Sequence, residues 1–105
     1  LHNLLLFTGV DPEYMVLDEL RRIHDDVAAK YEGVMAVHVV AGPRGVPKDF
    51  KHMSSVWTDG DLRMHKGFGA ARASLYLVRP DGYVGFRNQP ANLDDLDEYL
   101  VTIFV

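Results

Sequence analysis

The chain has 105 residues, of which 48% are hydrophobic and 25% charged, as in a single globular domain. Eleven basic residues against fifteen acidic ones leave a formal charge of −4, and without a basic run we expect no nucleic-acid partner. Cysteine is absent, which excludes disulfides, thiolate nucleophiles and thiolate zinc sites. No apolar stretch approaches the ~20 residues of a membrane span. No signal-peptide pattern opens the chain, and we expect a cytoplasmic protein.

The first third of the chain predicts a strand, a helix and a second strand. Residues 4–7 are apolar and precede a turn, as in a buried strand, and residues 11–13 suit the N-cap and first turn of a helix. The helix carries one apolar stripe, formed by Val16, Leu20, Ile23 and Val27. Gly33 ends it, and residues 34–40 form a strand that is apolar except for His38. The two strands are expected to pair in parallel through a right-handed crossover.

The remaining elements predict a short helix, a hairpin and a final helix. Residues 41–47 form a turn-rich loop, and the stretch to Thr58 has no clear period. A short helix follows through Leu62 and His65. Residues 73–79 and 83–87 form a hairpin around Pro-Asp-Gly, and Asn92 caps the last helix. Leu93, Leu96, Leu100 and Ile103 fall on one face of that helix.

The element order β-α-β-α-β-β-α is that of a thioredoxin-like fold. We therefore predict one α/β domain over residues 1–105, with a four-stranded mixed sheet flanked by helices. A ferredoxin-like order ranks second, since it requires two strands between its helices and another strand after the second. In thioredoxins the redox pair lies at the start of the first helix. Residues 8–13 offer a hydroxyl and two acids there, and residues 71–74 lack the proline that usually precedes the third strand. Redox exchange is not expected.

The sequence carries no recognisable catalytic, cofactor-binding or metal-binding motif. No two of the five histidines form a close ligand pair, so no metal site is predicted. His38 lies inside an apolar strand, where a hydrogen-bonded structural role is favoured over a catalytic one. The serines lack a G-x-S-x-G elbow, and Gly67-Phe68-Gly69 does not follow a strand and open a helix as a dinucleotide fingerprint does.

Three aromatic residues are candidates for an interface. Tyr83 and Phe86 are predicted to lie on opposite faces of one short strand, so that one of them faces a partner or the chain's own final helix. Trp57 lies in the aperiodic segment and serves either as a contact with another domain or subunit or as a core anchor.

Several segments together resemble the C-terminal domain of the flavin-dependent aromatic-ring hydroxylases, the family of phenol 2-monooxygenase and related polyketide hydroxylases. The most specific is Leu-Tyr-Leu-Val-Arg-Pro-Asp-Gly-Tyr-Val-Gly-Phe-Arg at residues 75–87. Asp-Gly-Asp-Leu at 59–62, Phe-Gly-Ala at 68–70, Gln-Pro-Ala at 89–91 and the opening residues 4–9 also fit.

This resemblance implies a thioredoxin-like appendage without a redox site. In that family the preceding domains hold FAD and the aromatic substrate, and the tail supports the structure and subunit contacts, including a homodimer. We therefore expect a non-catalytic assembly domain excised from the C-terminus of an FAD- and NAD(P)H-dependent monooxygenase, with no cofactor of its own. The alternatives are a free-standing, cysteine-free redoxin-like binding protein and an enzyme that uses His38 or His65.

Overall fold

A computed structural model describes residues 1–104. The strands and helices in chain order are β1 (His2–Phe7), α1 (Tyr14–Lys30), β2 (Met35–Ala41), β3 (Val56–Thr58), α2 (Arg63–Phe68), β4 (Ser74–Val78), β5 (Val84–Asn88) and α3 (Leu93–Ile103). A single 3₁₀ turn, Lys48–Phe50, lies between β2 and β3. The strands form one sheet in the order β3-β2-β1-β4-β5, with β1, β2 and β3 parallel and with β4 antiparallel to both β1 and β5.

The predicted α/β architecture with a mixed sheet between helices is confirmed, but the sheet has five strands and not four. The additional strand, β3, lies in the segment predicted to be irregular. It has only three residues and pairs with residues 39–41 of β2 at the edge of the sheet. Three residues are too few to show an alternating pattern, so the strand depends on its neighbour and not on local sequence.

The two faces of the sheet carry separate cores because side chains alternate along each strand. Helices α1 and α3 cover one face, where the predicted stripe of α1 is buried at Leu20, Ile23 and Val27. The six-residue α2 covers part of the other face. The core beneath it consists of Leu5, Phe7, Val40, Ala70 and Tyr76.

Several predicted boundaries are wrong and one cap is confirmed. Helix α1 ends at Lys30 with Tyr31 as its C-cap, so Gly33 does not end it. Helix α1 begins at Tyr14, with Glu13 in the extended conformation of an N-cap, so Asp11 is not the cap. Strand β5 begins at Val84, so Tyr83 lies in the connection between the turn and the strand. Asn92 does cap α3, since its Oδ1 accepts the backbone N–H of Asp95 at 3.0 Å. Across residues 1–104, no helix has the length and apolar character required to cross a membrane.

Candidate functional site

The carboxyl ends of the three parallel strands meet at one edge of the sheet and bring a buried polar cluster together. Thr8 follows β1, Gly42 follows β2 and Asp59 follows β3, while α2 contributes His65. Asp59 and His65 are 5% and 2% exposed, so they are withdrawn from solvent. This is the edge at which a ligand is expected in an open sheet with parallel strands.

The imidazole of His65 is held on both sides. Its Nδ1 lies 2.7 Å from Oδ2 of Asp59, and its Nε2 accepts the backbone N–H of Gly9 at 3.1 Å. The ring therefore carries its proton on Nδ1, because Nε2 acts as an acceptor. With both nitrogens engaged, the ring has no lone pair free for a substrate proton, and the pair is suited to positioning Gly9 and not to base catalysis.

Asp59 is held in its ionised form. Burial opposes ionisation, but hydrogen bonds from the His65 ring and from the backbone N–H groups of His65 and Met64 outweigh it and lower the pKa of Asp59. The two backbone bonds are 2.8 and 3.1 Å long and come from the first turn of α2. Asp59 thus orients His65 and anchors the start of the helix with the same carboxylate.

The loop between β1 and α1 is closed against the rest of the chain. Gly9 has a φ of +88°, and a Cβ atom there would lie 2.8 Å from the backbone nitrogen of Ala73. The backbone N–H of Val10 donates to the carbonyl of Ala71 at 3.1 Å, and Thr8 Oγ1 accepts the N–H of Gly42 at 3.0 Å. A cleft of about 480 Å³ remains beside this loop. The charged residues that line it are Asp11, Glu13 and Arg72.

His38 lies on the sheet face that α2 covers only in part. Its Nδ1 is 2.6 Å from Oγ of Ser55, and its Nε2 is 3.0 Å from Oδ1 of Asn3. The indole of Trp57 stacks on the ring with centroids 4.8 Å apart. Burial lowers the pKa of His38, which favours a neutral ring. His38 thus connects Asn3 of β1 with Ser55, which precedes β3, and it supports the ring of Trp57.

The three candidate interface residues lie in different surroundings. Trp57 and Tyr83 are exposed, at 42% and 71%, but they belong to opposite ends of the strand order. Phe86 packs against the core on the face covered by α1 and α3, and it stacks on Tyr99 of α3 with ring centroids 4.8 Å apart. The chain's own final helix therefore covers Phe86, whereas Trp57 and Tyr83 remain open to solvent.

A second cluster of polar side chains was not predicted from the sequence, because its members come from two distant segments. His24 and Asp25 lie on α1, and His52 lies between the 3₁₀ turn and β3. Oδ1 of Asp25 is 2.8 Å from Nδ1 of His24 and 2.9 Å from Nε2 of His52. Burial opposes ionisation of Asp25, but the hydrogen bonds with His52 and His24 outweigh it and lower its pKa. The two histidines are far apart in the sequence, so no short ligand spacing predicts this group.

Comparison with solved structures relates the whole arrangement to known proteins. A lipoprotein thioredoxin of Streptococcus pneumoniae superposes with a TM-score of 0.69 at 16% identity, covering 96% of this chain and 84% of the other. A thioredoxin-like protein in its oxidised form gives 0.69 at 15% identity, with 95% and 76% covered. The chain has a thioredoxin-like fold. The thioredoxin-like neighbours also include AhpC of Enterococcus faecalis, with a TM-score of 0.65 at 14% identity over 96% and 73% of the chains.

These superpositions establish the thioredoxin-like fold and not an activity, because proteins with unrelated functions share a fold. No protein-family model matches the sequence, and no curated protein sequence matches it. In this thioredoxin-like domain the segment before the first helix is bonded to the rest of the chain through the backbone N–H groups of Gly9 and Val10. None of these three structures is an aromatic-ring hydroxylase.

Proposed function

We propose that this thioredoxin-like domain binds a protein partner and catalyses no thiol or peroxide reaction. The observation that carries the proposal is the closed loop at the start of α1, where thioredoxins place their reactive pair. Gly9 is bonded to His65 and Val10 to Ala71, and the chain contains no cysteine. Thiol exchange requires a thiolate, and the chain contains no cysteine to supply one.

The surface around Trp57 is the best candidate for the contact. Trp57 is the single tryptophan of the chain, and 42% of its surface is exposed. Its indole is ordered by stacking on the ring of His38. Helix α2 leaves this end of the sheet face uncovered, and His38 and Asn3 are only half buried there. A tryptophan that is already ordered loses little entropy on binding, and tryptophan is enriched among the residues that dominate interface energies.

Site-specific cross-linking tests the proposal. A photoreactive phenylalanine analogue in place of Trp57 is compared with the same analogue in place of Glu98, which is exposed on the opposite, α3 side. We expect one discrete protein adduct from position 57 only. Equal labelling from both positions, labelling from neither, or turnover of insulin disulfides or peroxide by the pure protein would contradict the proposal.

A second and more specific candidate rests on the resemblance of residues 75–87. In the structure this phrase forms the β4–β5 hairpin, with Gly82 at a φ of +89° in its turn. We propose that the domain serves as the C-terminal assembly domain of an aromatic-ring hydroxylase. In that case FAD, NAD(P)H and the aromatic substrate belong to preceding domains, which would be the partner.

The reading frame upstream of the Leu1 codon separates the two candidates. A continuous frame that encodes a strand, a G-x-G-x-x-G turn and a helix supports the hydroxylase assignment. A start codon immediately upstream rejects it and leaves a free-standing binding protein. Titration with FAD is the second test, because stoichiometric binding to these 105 residues would contradict a tail without its own cofactor.

A further inference from the structure

The group formed by His24, Asp25 and His52 has the chemistry of a metal site. One ligand atom from each residue lies within 4.8 Å of the other two. Two imidazole nitrogens and one carboxylate oxygen are a frequent ligand set for Zn²⁺ with an open fourth position. We propose that these three residues bind Zn²⁺ through His24 Nδ1, Asp25 Oδ1 and His52 Nε2.

The two nitrogen-to-oxygen distances require only a small adjustment. Donors around a tetrahedral zinc ion with bonds of about 2.0–2.1 Å are about 3.3 Å apart. The two nitrogen-to-oxygen distances are 2.8 and 2.9 Å. Both contacts converge on the same carboxylate oxygen, so a cation would replace the protons that the imidazoles now share with it. Each nitrogen needs to move about half an ångström away from that oxygen, and the two nitrogens already lie within 4.8 Å of each other.

The protein holds two of the three ligands before any ion arrives. His24 is only 8% exposed and is fixed on α1 beside the buried stripe. His52 has a half-exposed side chain, but its segment is anchored by Phe50 and Met53, which are buried at 1% and 7% exposure. Preorganised ligands reduce the entropy lost on binding.

The surroundings leave room for a fourth ligand. A cavity of about 350 Å³ beside His24 and His52 is also lined by Ser54 and Ser55, so a water molecule can complete the coordination. Arg21 lies beside the group, with its Nη1 3.6 Å from Oδ2 of Asp25. Its guanidinium also bonds Asp18 at 2.8 Å, which offsets part of its positive charge.

A bound ion would join α1 to the segment that leads into β3. That segment carries Ser55, which contacts His38, and then Trp57. Zinc would therefore stabilise the loop next to the exposed tryptophan, although the metal site is independent of the proposed binding function. The expected consequence is a higher melting temperature in the presence of zinc, since an ion that binds only the folded state stabilises it.

Calorimetric titration of the chelator-treated 105-residue chain with ZnCl₂ tests the site. We expect one ion per chain for the wild type and at least about tenfold weaker binding for His52→Ala and Asp25→Asn. His52 is half exposed, so its removal leaves the core intact. The matched control is His2→Ala, which removes a histidine outside the cluster and should bind as the wild type does.

The melting temperature supplies an independent readout. Zinc should raise it for the wild type and for His2→Ala but not for His52→Ala or Asp25→Asn. Absence of binding to the wild type would overturn the proposal. Binding that survives both cluster substitutions would also overturn it, and loss of that binding in His2→Ala would assign the ion to the amino terminus.

Discussion

Nδ1 of His65 lies 2.7 Å from Oδ2 of Asp59, and this buried pair holds the loop that opens α1. The other ring nitrogen accepts the N–H of Gly9, which is 56 residues away in the chain. A histidine and an aspartate at the ligand edge of a sheet resemble catalytic groups in composition. Their hydrogen bonds show a different use, because each polar atom of the ring is already engaged within the protein.

His65→Ala should therefore lower the free energy of unfolding by about 2–4 kcal/mol, since it empties a buried site and removes the partners of Gly9 and Asp59. Urea denaturation measures the loss. His52→Ala in metal-free buffer is the control, and a half-exposed side chain should cost no more than about 0.5 kcal/mol. Similar losses for the two variants would mean that the His65 network contributes little.

Leu20→Ala should cost about 2–5 kcal/mol, because Leu20 is fully buried between α1 and the sheet. Met15→Ala lies on the same helix at 81% exposure and should change stability by about 0.5 kcal/mol or less. Both are measured by chemical denaturation. A small effect at Leu20 would show that the buried face of α1 has been misassigned.

Gly9→Ala should be more destabilising than Gly45→Ala, although the two glycines have nearly equal φ values of +88° and +85°. The left-handed conformation costs alanine about 1–2 kcal/mol at either position. At Gly9 the new methyl group also meets the backbone of Ala73 at 2.8 Å, whereas at Gly45 nothing within residues 1–104 lies within 4 Å. Thermal unfolding of both variants separates strain from packing, and equal losses would contradict a closed loop.

His38 should titrate below its ordinary pKa of about 6.5, because burial disfavours the charged ring. The unfolded chain then binds a proton at a higher pH than the folded chain, so this residue's contribution to stability is lost as the pH falls through that window. The emission of the stacked Trp57 reports the change directly. A transition at or above the ordinary pKa, or one that persists in His38→Gln, would contradict this assignment.

Asp97→Asn should stabilise the domain at neutral pH. Burial, with the charge of Asp26 added to it, raises the pKa of Asp97 above its ordinary 3.8. Between the ordinary pKa of the unfolded chain and the raised pKa of the folded chain, the folded state holds a proton that the unfolded state releases. Stability therefore falls as the pH rises through this interval. Melting temperatures compared between about pH 4 and pH 7 measure the effect. The benefit of the substitution should disappear at the acidic end, and a benefit independent of pH would refute the explanation.

Local patterns in the sequence were sufficient to predict the helices of this protein and all of its strands except β3. The apolar stripe of α1, the cap at Asn92 and the Pro-Asp-Gly turn each depend on residues within a few positions of one another. The missing cysteines likewise excluded thiol chemistry without any structure. The element order that follows from these signals was enough to predict the thioredoxin-like fold.

Only the tertiary structure decided the contacts between distant segments. Strand β3 exists because β2 offers it a hydrogen-bonding edge, and Phe86 is covered because α3 returns across β5. Asp25 and His52 meet across 27 residues of sequence, and Gly9 and His65 across 56. Such pairs leave no local signature, since neither partner's helix or strand propensity depends on the other. Their geometry is determined by how the helices pack on the sheet.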